Sequence, residues 1–185
     1  MSFFLRDAVA ADIPSIAATY RESVLNGTAS YEIDPPTDDD MSGRFARITG
    51  SGYPYLAAED DAGSVIGYAY ASAFRSRPAY RWMVEDSIYL APGARGLGIG
   101  KALLAALLDR STALGFRQMV AVIGGAHPAS VALHRAAGFA ETGLLIGTGY
   151  KHGKWLDTML MQKALGDGNT SHPDLARYPA TLSGG

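Results

Sequence analysis

Between Arg95 and Lys101 the chain reads R-G-L-G-I-G-K, with glycine at 96, 98 and 100. Alternating glycines let successive backbone N–H groups turn toward one concave point with no side chain in the way, a geometry that suits an anion. A helix starting at the same place adds unpaired N–H groups and the positive end of its dipole, so phosphate is the natural occupant. Two familiar phosphate loops fail on spacing. A Walker loop ending on Gly100-Lys101 needs glycine at 95 and a hydroxyl residue at 102, where Arg95 and Ala102 stand. A dinucleotide fingerprint beginning at Gly96 needs its third glycine at 101, which is Lys101, and normally lies near the first strand of its domain. What remains is Arg-x-x-Gly-x-Gly following a strand: a pyrophosphate loop of another kind, or a plain surface turn.

The rest of the composition narrows the chemistry. With no cysteine in the chain, disulfides, thiolate metal sites and a cysteine acyl-enzyme are all excluded, so any acyl transfer is direct or uses another nucleophile. Sixteen Lys and Arg against 18 Asp and Glu give a net charge of -2, which offers no basic excess for nucleic acid or anionic lipid. The longest aliphatic run, Ala102 to Leu108, is far short of the ~20 apolar residues of a membrane span. Arg6 and Asp7 interrupt the apolar start that a signal peptide would need. The expectation is a cytoplasmic protein working on small molecules, with no metal, no nucleic acid and no membrane partner.

Five ordered segments carry a family resemblance: F-R-S-R-P-A-Y at 74–80, V-E-D-S-I-Y-L-A-P at 84–92, R-G-L-G-I-G at 95–100, S-V-A-L-H-R-A-A-G-F at 130–139 and G-Y-K-H-G-K-W-L-D at 149–157. From about Leu5 to Leu165 the sequence resembles the phosphinothricin and methionine sulfoximine N-acetyltransferase branch of the GNAT superfamily of N-acyltransferases. The resemblance implies a homodimeric enzyme that moves acetyl from acetyl-CoA to the α-amine of a small amino-acid-like substrate, by direct attack in a ternary complex. Acetylation of another amine, such as a protein N-terminus or polyamine, and a non-catalytic acyl-CoA-binding module are the alternatives.

Site residues follow from the matched positions. Arg95, Gly96, Leu97, Gly98, Ile99, Gly100 and Lys101 match the pyrophosphate loop, and Ile88, Tyr89 and Leu90 match strand positions whose main chain meets the pantetheine arm. Glu85 matches the general base, a role the chemistry needs because an amine attacks a thioester only when neutral; Asp86 is the rival. Arg75, Ser76 and Arg77 fall in the substrate loop, where guanidinium groups can grip a carboxylate or phosphinate in two-pronged fashion. His134 matches a cofactor contact near the CoA thiol, and a role as general acid stands beside a packing role. At 127 the branch usually has asparagine, and here His127 takes that cofactor-contact position. Lys151, Trp155 and Asp157 match a C-terminal segment near the substrate pocket or dimer contact, and are read as structural. Tyr31 either lines the pocket or anchors the N-terminal helices.

These residues need a scaffold, and the patterning supplies one. A strand over 3–6 precedes a helix over 13–25, N-capped by Asp12 and stopped by Gly27. Thr37 caps a second helix whose first turn holds Asp38, Asp39 and Asp40 and whose end lies near Gly50 or Gly52. Strands over 55–59 and 65–74 flank a turn at Asp61-Ala62-Gly63, and a strand over 83–90 runs into the glycine loop. Leu103, Leu104, Leu107 and Leu108 recur at helical spacing, giving a helix over 98–114 with Gly115 as its C-cap. A strand over 119–123, a helix over 129–137 and strands over 141–148 and 155–163 complete the set. The sum is an α/β fold, a single domain over 1–165 with a mixed, mostly antiparallel central sheet flanked by helices on both faces. After Leu165, composition shifts to Gly, Asn, Ser, Thr and Pro, so 166–185 is read as a tail, flexible or dimer-contacting.

Overall fold

A computed structural model describes residues 2–177. Seven strands form one sheet in the order β1-β2-β3-β4-β5-β7-β6. They are β1 (Phe3–Asp7), β2 (Tyr55–Asp60), β3 (Val65–Ala73), β4 (Met83–Leu90), β5 (Gln118–Gly124), β6 (Ala140–Lys151) and β7 (Lys154–Ala164). Every neighbouring pair is antiparallel except β4 and β5, which are joined through the helix α3 (Ile99–Leu114). A parallel pair demands such a crossover, and α3 lies on the face of the sheet that this connection reaches.

Helices cover both faces, as the sequence patterning leads one to expect. On one face α1 (Ile13–Asn26) and α2 (Asp38–Gly50) pack Ile16, Tyr20, Val24 and Met41 against Tyr55 and Tyr68. On the other, α3 buries Ile99, Leu103, Leu104 and Leu107 against Leu56, Ala69, Val84, Met119 and Met161. The helix α4 (Pro128–Ala136) closes this second layer through Val131 and Leu133. The odd–even split follows from the pleat: in β3, Tyr68 and Tyr70 face one layer while Ala69 and Ala71 face the other.

Local sequence accounts for most element ends. Thr37 accepts a hydrogen bond from the Asp40 amide while the Asp40 carboxylate takes the Thr37 amide, a complete capping box. Gly115 ends α3 at φ 97, the left-handed conformation only glycine adopts without strain. Asp12 departs from the expected cap. Its carboxylate takes two hydrogen bonds from Arg6, at 2.7 and 2.8 Å, and one from the Val9 amide, so it ties β1 to the turn before α1 instead of capping that helix. β6 also runs beyond the expected end at Thr148 to Lys151, because its register against β7 shifts between Leu145 and Gly149 and breaks the simple alternation.

After β7 the chain folds back, and the Arg117 guanidinium donates to the Gly168 carbonyl at 2.7 Å and the Ser171 hydroxyl at 2.7 Å. Residues 178–185 of the expected tail lie outside the described residues.

Candidate active site

The parallel ladder between β4 and β5 is short. It joins Met83 to Gln118, Val84 to Met119 and Glu85 to Val120, then stops, although β4 continues to Leu90 and β5 to Gly124. The two strands therefore part into a gap, and the main chain of Ser87–Leu90 has β3 on one side and no strand partner on the other. Unpaired peptide groups of this kind need a partner from elsewhere. An extended, amide-bearing arm running along the gap is such a partner.

At the top of the gap the chain passes a short turn, Pro92–Ala94, and enters the glycine loop. Gly96 has φ 78 and Gly98 φ 82, and a Cβ at either position would meet no atom within 4 Å. Glycine is thus required here for backbone conformation, not for space. No side chain caps the start of α3, so its first-turn N–H groups remain available to an anion. Lys101 is exposed, and Arg95 is largely so, with its guanidinium 3.8 Å from Glu22. Two cations, open amides and a helix end fit a pyrophosphate; the gap beneath fits the arm of an acyl-CoA.

Glu85 occupies the vertex. It is the last β4 residue paired with β5, and its carboxylate points to the α1–α2 face beside its cross-strand neighbour Ser72 on β3. Burial, then the charge of Asp86, push its pKa up to about 7, with Arg75 pulling in the opposite direction. Next to it lies an open cavity of about 780 Å³, walled by Tyr20, Arg44, Tyr70, Ser72, Arg75 and Ser76, with Tyr55 and Tyr68 among its lining. Arg75 and Ser76 thus reach the cavity, and the Arg75 guanidinium stacks 4.6 Å from the Phe74 ring centre. Arg77 is exposed and stands outside that lining.

Asp86 faces the opposite layer. It is buried, and its Oδ2 lies 2.9 Å from His134 Nε2, while His134 Nδ1 lies 2.8 Å from the Ser130 carbonyl oxygen. Both imidazole nitrogens meet acceptors, an arrangement satisfied in full by the doubly protonated ring. Burial lowers the His134 pKa, but the hydrogen bond and charge of Asp86 outweigh it and the net shift is upward. The ring is further held edge-on to Phe139, with centroids 5.0 Å apart. His127 sits exposed at the start of α4, where its carbonyl accepts from the Ser130 and Val131 amides. Ile88 and Leu90 pack toward α3, and Tyr89 stacks on Tyr68 and meets Tyr20 edge-on on the other face. Their main chain, not their side chains, borders the gap.

For the segment 27–33 between α1 and α2, the sequence offered Tyr31 as a pocket or anchoring residue but not its partners, which lie on β5, β6 and β7. Tyr31 lays its ring on Gly149 so closely that a Cβ there would come within 2.7 Å of it. Its hydroxyl meets Thr158 Oγ1 at 2.7 Å, donates to the Asp157 carbonyl at 3.0 Å and accepts from the Gly125 amide at 3.2 Å. A single side chain therefore ties this segment to β5, β6 and β7. Three of its neighbours are glycines, Gly124, Gly125 and Gly149, but no spacing rule connects them to residue 31.

Comparison with known proteins agrees with this geometry. The profile of the Acetyltransferase (GNAT) family matches residues 17–139. A phosphinothricin N-acetyltransferase of Alcaligenes faecalis is 46% identical over 164 residues, covering 88% of this chain and 83% of its own length. An L-methionine sulfoximine/L-methionine sulfone acetyltransferase of Pseudomonas aeruginosa is 41% identical over 162 residues, 88% of this chain and 94% of that one. Among solved structures, a phosphinothricin acetyltransferase of Sinorhizobium meliloti in complex with AcCoA superposes with a TM-score of 0.96, at 64% identity and 98% coverage of both chains. The chain belongs to the GNAT acetyltransferase family. It is an acetyl-CoA-dependent N-acetyltransferase, the class that its glycine loop and flanking segments imply.

Proposed function

We propose that this enzyme acetylates the α-amine of a small amino-acid-like compound of the phosphinothricin, methionine sulfoximine or methionine sulfone type, by direct attack with Glu85 as general base. One observation carries the reading. A half-buried carboxylate whose pKa is pushed up to about 7 stands at the head of the β4–β5 gap, directly across from Ser72 in the wall of the arginine-rimmed cavity, a position suited to a base between the two substrates.

Acetyl-CoA supplies the activated acetyl group and a thiolate that leaves readily. Arg95, Lys101 and the amides of residues 96–100 hold its pyrophosphate, and the free edge of residues 88–90 aligns the arm and directs an N–H at the thioester oxygen. Arg75, with Ser76 from the same loop, grips the carboxylate of the amino acid, which leaves the amine facing Glu85, while Arg77 stays outside the cavity wall. Glu85 takes a proton from the ammonium, directly or through one water; the neutral nitrogen then bonds to the acetyl carbon as the C–S bond breaks, and the proton it sheds on becoming an amide goes to the departing CoA thiolate, giving the free thiol. His134 is a cofactor-side contact through α4, with its nitrogens already committed to Asp86 and Ser130. His127 meets the cofactor from the exposed start of the same helix.

The enzyme works as a homodimer in this reading. Leu144, Leu145, Ile146, Tyr150 and Trp155 are exposed along β6 and β7, a concentration of apolar surface that a second copy would cover. A panel of phosphinothricin, methionine sulfone, common amino acids, short peptides and polyamines, read by released CoA thiol, tests the activity. Preference for peptides or polyamines over the first two compounds would refute the substrate assignment. Sedimentation of the wild type against Trp155→Glu tests the dimer, which the substitution should dissociate.

A further inference from the structure

We infer that Lys151, at the end of β6 and remote from the reacting atoms, is a positioning residue for the amine substrate. Its ammonium group holds the α1–α2 segment in the shape that sets Tyr20 and Arg44 in the cavity wall. The inference rests on the reading of that cavity as the amine site.

Lys151 is 4% exposed, an unusual place for an ammonium group, and burial lowers its pKa with only the charge of Glu32 opposing. Among the described residues no carboxylate forms an ion pair with it; its Nζ donates to the Ser30 carbonyl at 2.7 Å. From Ser30 an unbroken chain of hydrogen bonds leads into the cavity. The Glu32 amide donates to Ser30 Oγ at 3.2 Å, and Ser30 Oγ lies 2.9 Å from the Tyr20 hydroxyl. Tyr20 donates to Glu32 Oε1 at 3.1 Å, and Arg44 clasps both Glu32 oxygens, at 2.7 and 3.3 Å.

The directions are mutually consistent. With Tyr20 donating to the carboxylate, the Ser30 hydroxyl donates to Tyr20 and accepts from the Glu32 amide, so each polar group has one role. Tyr20, in the middle of this chain, and Arg44, at its end, both line the cavity. His152, next in sequence to Lys151, adds a contact to the Gly27 carbonyl at 3.2 Å. The tip of the β6–β7 hairpin thus grips the segment at two points, Gly27 and Ser30. None of these residues belongs to the glycine loop, to α3 or to the β4–β5 gap. Loss of the Lys151 contact should therefore act on the amine and spare acetyl-CoA.

Steady-state kinetics of the full chain test this, with the best amine from the panel above. Lys151→Met is expected to raise KM for the amine about tenfold while KM for acetyl-CoA and kcat stay within about twofold. Because the chain has no cysteine, Lys151→Cys can be alkylated at a single site before refolding. Aminoethylation, which rebuilds an ammonium of nearly the same reach, should restore the amine KM, whereas carbamidomethylation should not. Tyr20→Phe interrupts the chain at its centre without changing Lys151 and should raise the amine KM about threefold, which decides the matter if the Lys151 variants do not fold. An unmoved amine KM in a folded variant overturns the inference, as does a proportional loss of both KM values and kcat that tracks Tm. Absence of turnover by the wild type on every amine would instead sink the reading of the cavity beneath it.

Discussion

Glu85 and Asp86 are consecutive on β4, and the pleat sends their carboxylates to opposite layers of the protein. Asp86 is enclosed with His134, whereas Glu85 stands beside Ser72 and the cavity. Alternation in a strand thus separates two candidates that the sequence sets side by side. That placement supports the proposed role of Glu85 toward the amine.

Glu85→Gln should lower kcat/KM by about 10²- to 10⁴-fold, the range for a positioned general base. The wild-type profile of kcat/KM should rise with pH through about 7, since only the ionised form of Glu85 accepts a proton. That limb should vanish in the variant. A variant retaining near-wild-type kcat/KM across pH would remove Glu85 from the role.

The same group has an effect on stability with the opposite sense. Its folded pKa, about 7, lies above its ordinary value of 4.5. The folded state therefore binds more protons between these values, and Glu85 costs stability as pH rises through that window. At pH 8 Glu85→Gln should be more stable than the wild type, by at most about 3 kcal/mol, and equal to it near pH 4. Chemical denaturation at the two pH values measures the difference.

His134 carries the reverse sign. Its folded pKa is raised, so the pair with Asp86 stabilises fully below the ordinary histidine pKa and loses that contribution as pH climbs through the raised value. His134→Ala strips the buried Asp86 carboxylate of its partner, and a loss of about 3–5 kcal/mol is expected at neutral pH. Replacing both residues, as Asp86→Asn with His134→Ala, should recover part of it. A double variant no more stable than His134→Ala would contradict the pairing.

Gly98→Val places a β-branched residue at φ 82, a conformation costing a non-glycine residue about 1–2 kcal/mol. The open space around Gly98 allows the domain to fold, but the loop should relax and turn its amides away. KM for acetyl-CoA should rise at least tenfold with the amine KM unchanged, and isothermal titration with CoA should show the same loss.

Local signals carried the scaffold into the sequence. The Thr37 capping box, the leucine spacing of α3 and the left-handed Gly115 each act within one or two turns of chain, and each element appears where those signals put it. Features built from remote partners had no such trace. The parting of β4 from β5 depends on where a parallel ladder stops, the Asp86–His134 pair spans 48 residues, and the contact between Arg44 and Glu32 requires α2 to fold back on its own leading loop. Asp12 shows the converse, since a side chain suited to capping α1 found a stronger partner in Arg6.

The clasp on the α1–α2 segment also orders events in time. Tyr31 meets Asp157 across 126 residues, Lys151 meets Ser30 across 121, and His152 meets Gly27 across 125. A ribosome must deliver the C-terminal hairpin before the N-terminal loop can take its final form, and closing so long a span is slow. The N-terminal half of the nascent chain therefore spends most of synthesis with that loop unfastened, and the loop is clasped only as the last strand docks.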